Sequence, residues 1–221
     1  YVIFPFEKEY YKYKHKMDST YCGHPLIEQV DDFKPNNEFF KNNNISKERD
    51  IIALLPGSRT QEIKSMLPIF LTLKKHFSKN EFVIAGVKNV DKSLYKIAKE
   101  MSVRVVYNQT YDLLANSKAA IVTSGTASLE CALFKVPQIV CYKTSFISYF
   151  IGKTFVKIDF ISLVNIILKQ KVVQELIQNQ LTEKELVNEF NEIINGEKRL
   201  EMQKHYSKIY SMLSLDKTSN N

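Results

Sequence analysis

The 221-residue chain has no tryptophan, only six glycines and six prolines, and three cysteines. Cys22, Cys131 and Cys141 are an odd number without C-x-x-C spacing, which argues against a disulfide framework or a cysteine zinc site and makes a reducing compartment the default. The four histidines (His15, His24, His76, His205) form no H-x-x-x-H pair, so no metal site is expected. No stretch carries the ~18 uninterrupted apolar residues that span a bilayer, and no signal-peptide pattern is present. Neither G-x-G-x-x-G nor G-x-x-x-x-G-K-[ST] occurs, which removes the usual dinucleotide and P-loop signatures. Nothing calls for a cofactor, and there is no internal repeat.

What remains is a basic chain, formally +7, that is 44% hydrophobic, enough for one or two globular cores. A positive balance favours acidic partners: nucleic acid, anionic lipid or a phosphorylated substrate. Nucleic acid ranks last, because the basic residues are spread out and form no stripe with stacking aromatics. The chain opens on "YVIFPFEKEYYKYK" without a Met and inside a strand-like run, Tyr1 to Phe4, so it reads as the C-terminal part of a longer protein.

From Asp50 onward short apolar runs alternate with helical patterns. The strand candidates are Ile51 to Leu55, Phe82 to Ala85, Val103 to Tyr107, Ala119 to Thr123 and Gln138 to Tyr142. Helices are expected over 60–77, 92–101, 111–116 and 126–134. This alternation predicts a Rossmann-like parallel α/β sheet with helices on both faces. Residues 34–50, "KPNNEFFKNNNISKERD", read as a polar linker or exposed loop. The last eighty residues read as mainly helical. Thr182 and Glu185 fit a capping box, Asn195-Gly196 a stop, and "DKTSNN" a frayed tail.

In such a sheet ligands bind beyond the carboxyl ends of the strands, and two junctions there carry chemistry. After Leu55 come Gly57, Ser58 and Arg59. The glycine permits close approach, the helix N–H groups favour an anion, and the guanidinium matches phosphate oxygens. The alternative is a tight turn with a surface Arg59 paired to Glu62. After Thr123 come Ser124, Gly125 and Thr126, with Glu130 one turn into the helix, where a carboxylate can accept two hydrogen bonds from a ribose diol. The alternative for Glu130 is an ordinary solvated helix residue. Together the two junctions suit a nucleotide. An apolar, lysine-flanked stretch from Tyr142 to Ser162 suits either core or an anionic membrane surface, as does the Tyr- and Lys-rich opening.

These residues also carry a resemblance. "FPFE" (Phe4 to Glu7), "GHPL" (Gly23 to Leu26), "LLPGSRTQEI" (Leu54 to Ile63), "SGTASLECAL" (Ser124 to Leu133), "PQIVCYK" (Pro137 to Lys143), "SLVNII" (Ser162 to Ile167) and "QELIQ" (Gln174 to Gln178) follow one another as in the lipid-A-disaccharide synthases, which the chain resembles over nearly its whole length. The resemblance implies the C-terminal, donor-binding half of a two-Rossmann-domain (GT-B) glycosyltransferase. Its division would be an acceptor-domain end and inter-domain segment at 1–33, the linker at 34–50, a UDP-sugar donor-binding domain at 51–178, and C-terminal helices with the tail at 179–221.

The implied reaction moves 2,3-diacylglucosamine from UDP-2,3-diacylglucosamine to 2,3-diacylglucosamine 1-phosphate. It forms a β-1,6 disaccharide precursor of lipid A with inversion, without metal, and releases UDP. Gly57, Ser58, Arg59, Ser124, Gly125 and Thr126 would surround the diphosphate, with Arg59 stabilising the leaving group. Glu130 would hold the ribose, and Asn165 would face the donor; Gln178 is a further candidate. The general base would lie in the absent N-terminal part, so the fragment would bind UDP without turnover. The location implied is cytoplasmic, peripheral on the inner face of the inner membrane, and a homodimer is left open. A UDP-N-acetylglucosamine epimerase, another hexosaminyltransferase and a non-catalytic nucleotide-binding module are the rival readings.

Overall fold

The computed structural model describes residues 1–143 and 160–214. Each apolar run becomes a strand, and the helix after it returns the chain to the same end of the sheet, which makes every pairing parallel. The strands are β1 (Ile51–Leu55), β2 (Glu81–Gly86), β3 (Arg104–Tyr107), β4 (Ser117–Thr123), β5 (Gln138–Tyr142) and β6 (Gln174–Ile177), in the order β3-β2-β1-β4-β5-β6. All five residues of β1 and the last five of β4 are buried. Successive strand residues point to opposite faces, so unbroken burial means that both faces are covered.

The covering helices follow the expected pattern with small shifts. They are α1 (Pro5–His15), α2 (Pro25–Asp31), α3 (Phe39–Asn42), α4 (Thr60–Leu71), α5 (Leu73–His76), α6 (Lys96–Glu100), α7 (Thr110–Ala115), α8 (Thr126–Leu133), α9 (Leu163–Leu168), α10 (Glu183–Asn195) and α11 (Lys198–Leu213). The helix expected over 60–77 is broken at Thr72, four residues after Pro68. There the Thr72 hydroxyl donates to Ile69 O at 2.7 Å and its N–H tightens onto the same carbonyl at 3.1 Å, out of the i−4 ladder. Residues 92–95 form a tight 3-10 turn before α6. Thr182 caps α10 as expected, its hydroxyl accepting from Glu185 N at 3.2 Å, and Gly196 ends the helix.

Three expectations change. The 34–50 stretch is no exposed linker throughout: Phe39 and Ile45 are buried in the core, and Asn43 Nδ2 donates to Gln109 Oε1 at 2.8 Å. Two apolar side chains outweigh the asparagines around them. β6 arises inside the region expected to be helical, because "QELI" is too short for periodicity to decide and an open sheet edge beside β5 receives it. The opening run forms only a bridge, Val2 with Tyr21, before α1, which has no buried residue. The opening segment instead docks on the end of α11, where Tyr21 Oη donates to Leu213 O at 2.7 Å. Residues 144–159 of the lysine-flanked apolar stretch and the tail at 215–221 lie outside the described residues.

Candidate nucleotide-binding site

From β1 the chain winds outward to β2 and β3, and from β4 it winds the other way to β5 and β6. β1 and β4 are neighbours, so their carboxyl ends flank the switch point where an open α/β sheet leaves a crevice. A cleft of about 320 Å³ opens there. Gly57, Ser58 and Arg59 line it after β1, and Ser124, Gly125, Thr126 and Glu130 line it after β4. The two junctions read from the sequence therefore face one space. Two larger, open depressions lie elsewhere, one at the amino ends of β1 and β4 around Asp50 and Ser117, the other beside the edge strand β3. Neither receives helix N-termini at a switch point.

The two helix starts differ. The N–H groups of the turn that leads into α4 are taken up: Glu62 Oε2 accepts from Ser58 N at 3.0 Å and from Arg59 N at 3.2 Å. The helix supplies its own anion. Gly57 makes this turn possible with φ 106°, and a Cβ there would lie 2.4 Å from Glu62 Oε2 and 2.6 Å from Glu62 Cβ. The Arg59 side chain remains 83% exposed and meets Glu62 Oε1 only at 3.5 Å. Exposed pairs of this kind are worth about 0–1 kcal/mol, so the guanidinium can turn to a ligand at little cost.

α8 begins without a side-chain cap. Its N-cap is Gly125, at φ 150°, with nothing within 4 Å of where a Cβ would stand. First-turn N–H groups lack intrahelical acceptors, so this end presents donors and partial positive charge to the cleft. Thr123, the last residue of β4, also lines the cleft; it is 4% exposed, and its hydroxyl has no hydrogen-bond partner. Ser124 has already spent its donors: its N–H goes to Cys141 O at 3.1 Å and its hydroxyl to Ile161 O at 2.8 Å. Ser124 therefore has no proton left for a phosphate oxygen and can only accept there.

Glu130 is half-buried, and burial pushes its carboxyl above the ordinary carboxylate range; a hydrogen bond from Tyr111 pulls partly the other way. The Tyr111 phenol is itself pushed up to about 12, by burial first and then by the Glu130 charge. Its one hydroxyl proton is shared between Glu130 and Gln29 Oε1, the latter at 3.0 Å, which ties α2 to the cleft wall, and its ring packs on Phe33 and Phe134.

A family model for lipid-A-disaccharide synthetase matches residues 1–221. The chain belongs to that family. The lipid-A-disaccharide synthase of Sulfurihydrogenibium sp. is 36% identical over 91% of this chain and 57% of its own length. That of Syntrophus aciditrophicus is 34% identical over 97% of this chain and 58% of its own length. The chain thus spans little more than half of these curated relatives. Among solved structures, a UDP-GlcNAc 2-epimerase from Neisseria meningitidis bound to UDP-GlcNAc superposes with a TM-score of 0.59 at 14% identity, over 96% of this chain and 60% of that one. At that identity the likeness concerns the fold.

In this member of the family, two expected site residues stand outside the cleft. Asn165 was expected to face a donor. It is instead fully buried, with Nδ2 donating to Val173 O at 2.9 Å and to Glu175 Oε1 at 2.8 Å, and Oδ1 accepting from Val172 N and Val173 N at 2.8 and 2.9 Å. An amide so engaged has nothing left to offer a ligand. Gln178 follows β6 in the left-handed region, φ 52°, and does not line the cleft. Sequence reasoning missed Thr123 and Tyr111. A hydroxyl ending an otherwise apolar strand is a usable sign of the first. Nothing local marks the second, because its partners come from α2 and α8.

Proposed function

We propose that this chain holds the UDP-sugar donor of a lipid-A-disaccharide synthase. The reaction moves 2,3-diacylglucosamine from UDP-2,3-diacylglucosamine onto 2,3-diacylglucosamine 1-phosphate, forming the β-1,6 disaccharide with inversion and releasing UDP. The observation that carries the reading is the uncapped start of α8 at the switch point, with Arg59 on the other wall and Glu130 one turn inside. The diphosphate sits at the N–H groups of α8, joined by the hydroxyls of Thr123, Thr126 and Ser58, rather than at the backbone of residues 58 and 59, whose N–H groups Glu62 holds. Glu130 takes the ribose diol. Gly57 and Gly125 serve by the turns they allow.

Negative charge grows on UDP as the glycosidic bond breaks. Arg59 and the α8 N-terminus meet that charge better in the transition state than in the ground state, and this lowers the barrier. The base that deprotonates the acceptor hydroxyl is assigned to no residue of this chain. Among the described residues no helix is long and apolar enough to cross a membrane. The lipid substrate supports peripheral attachment at the inner face of the inner membrane.

Calorimetric titration of the 221-residue chain with UDP, UMP and uridine tests the reading. Affinity is expected to fall along that series. Arg59→Ala is expected to weaken UDP by roughly 1.5–3 kcal/mol, the range for hydrogen bonds to charged groups. Equal affinity for UDP and uridine would sink the diphosphate assignment. Sugar transfer by this chain alone would sink the claim that the base lies elsewhere. Competition between acylated and unacylated UDP-sugars separates the synthase from other UDP-sugar enzymes.

A further inference from the structure

Behind the Ser124 wall runs a chain of polar contacts that does not line the cleft. Glu175, on β6, accepts three hydrogen bonds: from Ile161 N and Ser162 N, both at 3.0 Å, and from Asn165 Nδ2 at 2.8 Å. Ser162 is fully buried and caps α9, its hydroxyl accepting from Asn165 N at 3.2 Å. The carbonyl of Ile161, on the cleft side of the same turn, receives the Ser124 proton at 2.8 Å.

Each link constrains the next. Asn165 has both amide hydrogens and its oxygen engaged, which fixes the first turn of α9 against the 172–173 backbone. A carboxylate with three directed donors has little freedom to shift, and hydrogen bonds to an ionised acceptor are the strong ones. The Ile161–Ser162 turn is held on one side by Glu175 and holds Ser124 on the other. Ser124 precedes Gly125, the N-cap of α8, so the place of its hydroxyl bears directly on where the first N–H groups of α8 aim. Donors act on a developing charge only when they are fixed before it appears.

We propose that Glu175 is a positioning residue for the cleft. Through the Ile161–Ser162 turn it commits the Ser124 proton inward and holds the start of α8 in place, without itself touching the ligand. Asn165 serves the same turn, which accounts for a saturated buried amide where a ligand contact was expected. The proposal rests on the nucleotide reading given above.

The test is UDP titration of the wild-type chain, Glu175→Gln, Ser124→Ala and the double variant, well below their melting temperatures. Glu175→Gln is expected to weaken UDP by roughly 2- to 10-fold, and the double variant to lose no more than the larger single loss, since both act through one link. A merely structural Glu175 would lower the melting temperature and leave the dissociation constant unchanged, which overturns the proposal; so would additive losses. A wild-type chain that does not bind UDP removes the nucleotide reading itself. If Glu175→Gln does not fold, amide exchange on the wild-type chain decides. Saturating UDP is expected to slow exchange at Ile161 and Ser162, although neither lines the cleft, and unchanged exchange overturns the proposal.

Discussion

The hydroxyl of Tyr111 stands 3.5 Å from Oε1 of Glu130, joining the short helix after β3 to the acid on α8. A carboxyl group accepts from both hydroxyls of a ribose diol, one on each oxygen, only when ionised, and burial works against that state here while Tyr111 supports it.

UDP affinity is therefore expected to fall as pH drops, starting above the ordinary glutamate range, because the folded-state pKa of Glu130 is raised. Tyr111→Phe removes the group that opposes that rise, so the fall shifts to higher pH. The contact is long at 3.5 Å, so near neutrality the loss is about 0.5–1.5 kcal/mol. Titrations from pH 5 to 8 with UDP and 2′-deoxyUDP check this. The deoxy ligand cannot engage the acid through a diol and is expected to show less of the pH dependence.

Thr123→Val is expected to act oppositely on stability and on binding. Valine keeps the shape and removes a buried hydroxyl that has no protein partner, so urea unfolding is expected to give a gain of up to about 1 kcal/mol. The same change is expected to weaken UDP by about 0.5–1.5 kcal/mol. Unchanged affinity would remove Thr123 from the proposed ligand contacts.

Gly57→Ala places a methyl group on Glu62 in a backbone conformation with φ 106°. The expected cost is about 1–3 kcal/mol in denaturant unfolding. The clash reaches Glu62 Cβ as well as its carboxylate, so adding Glu62→Ala is not expected to restore stability. It also removes the acceptor that holds Ser58 N and Arg59 N.

His24 caps α2 by accepting from Leu26 N at 3.2 Å, which requires an unprotonated Nδ1. Burial lowers its pKa, with the nearby Glu7 charge opposing. Between the folded and the unfolded pKa the unfolded chain binds the extra proton, so stability falls as pH drops below about 6.5, the ordinary histidine value. His24→Asn keeps a capping oxygen and cannot take up that proton. Its melting temperature is expected to depend less on pH between 7.5 and 5.5 than that of the wild type; equal slopes would count against His24.

Five of the six strands, the two corners and the family motifs are legible in the residues alone. β-branched and aliphatic runs of strand length, alternating with helical periods, leave little choice but a parallel sheet, and small polar residues at strand ends mark where its crevice must lie. Tertiary structure decided which donors at those corners are free. Glu62 reads from the sequence as the partner of a surface Arg59, but the turn at Gly57 folds its carboxylate back onto the Ser58 and Arg59 N–H groups. Asn165 reads as a ligand contact until β6 joins the edge of the sheet and brings Glu175 to it. Local pattern specifies where backbone donors and polar side chains arise; whether they stay available depends on neighbours distant in the chain, and only packing brings those into reach.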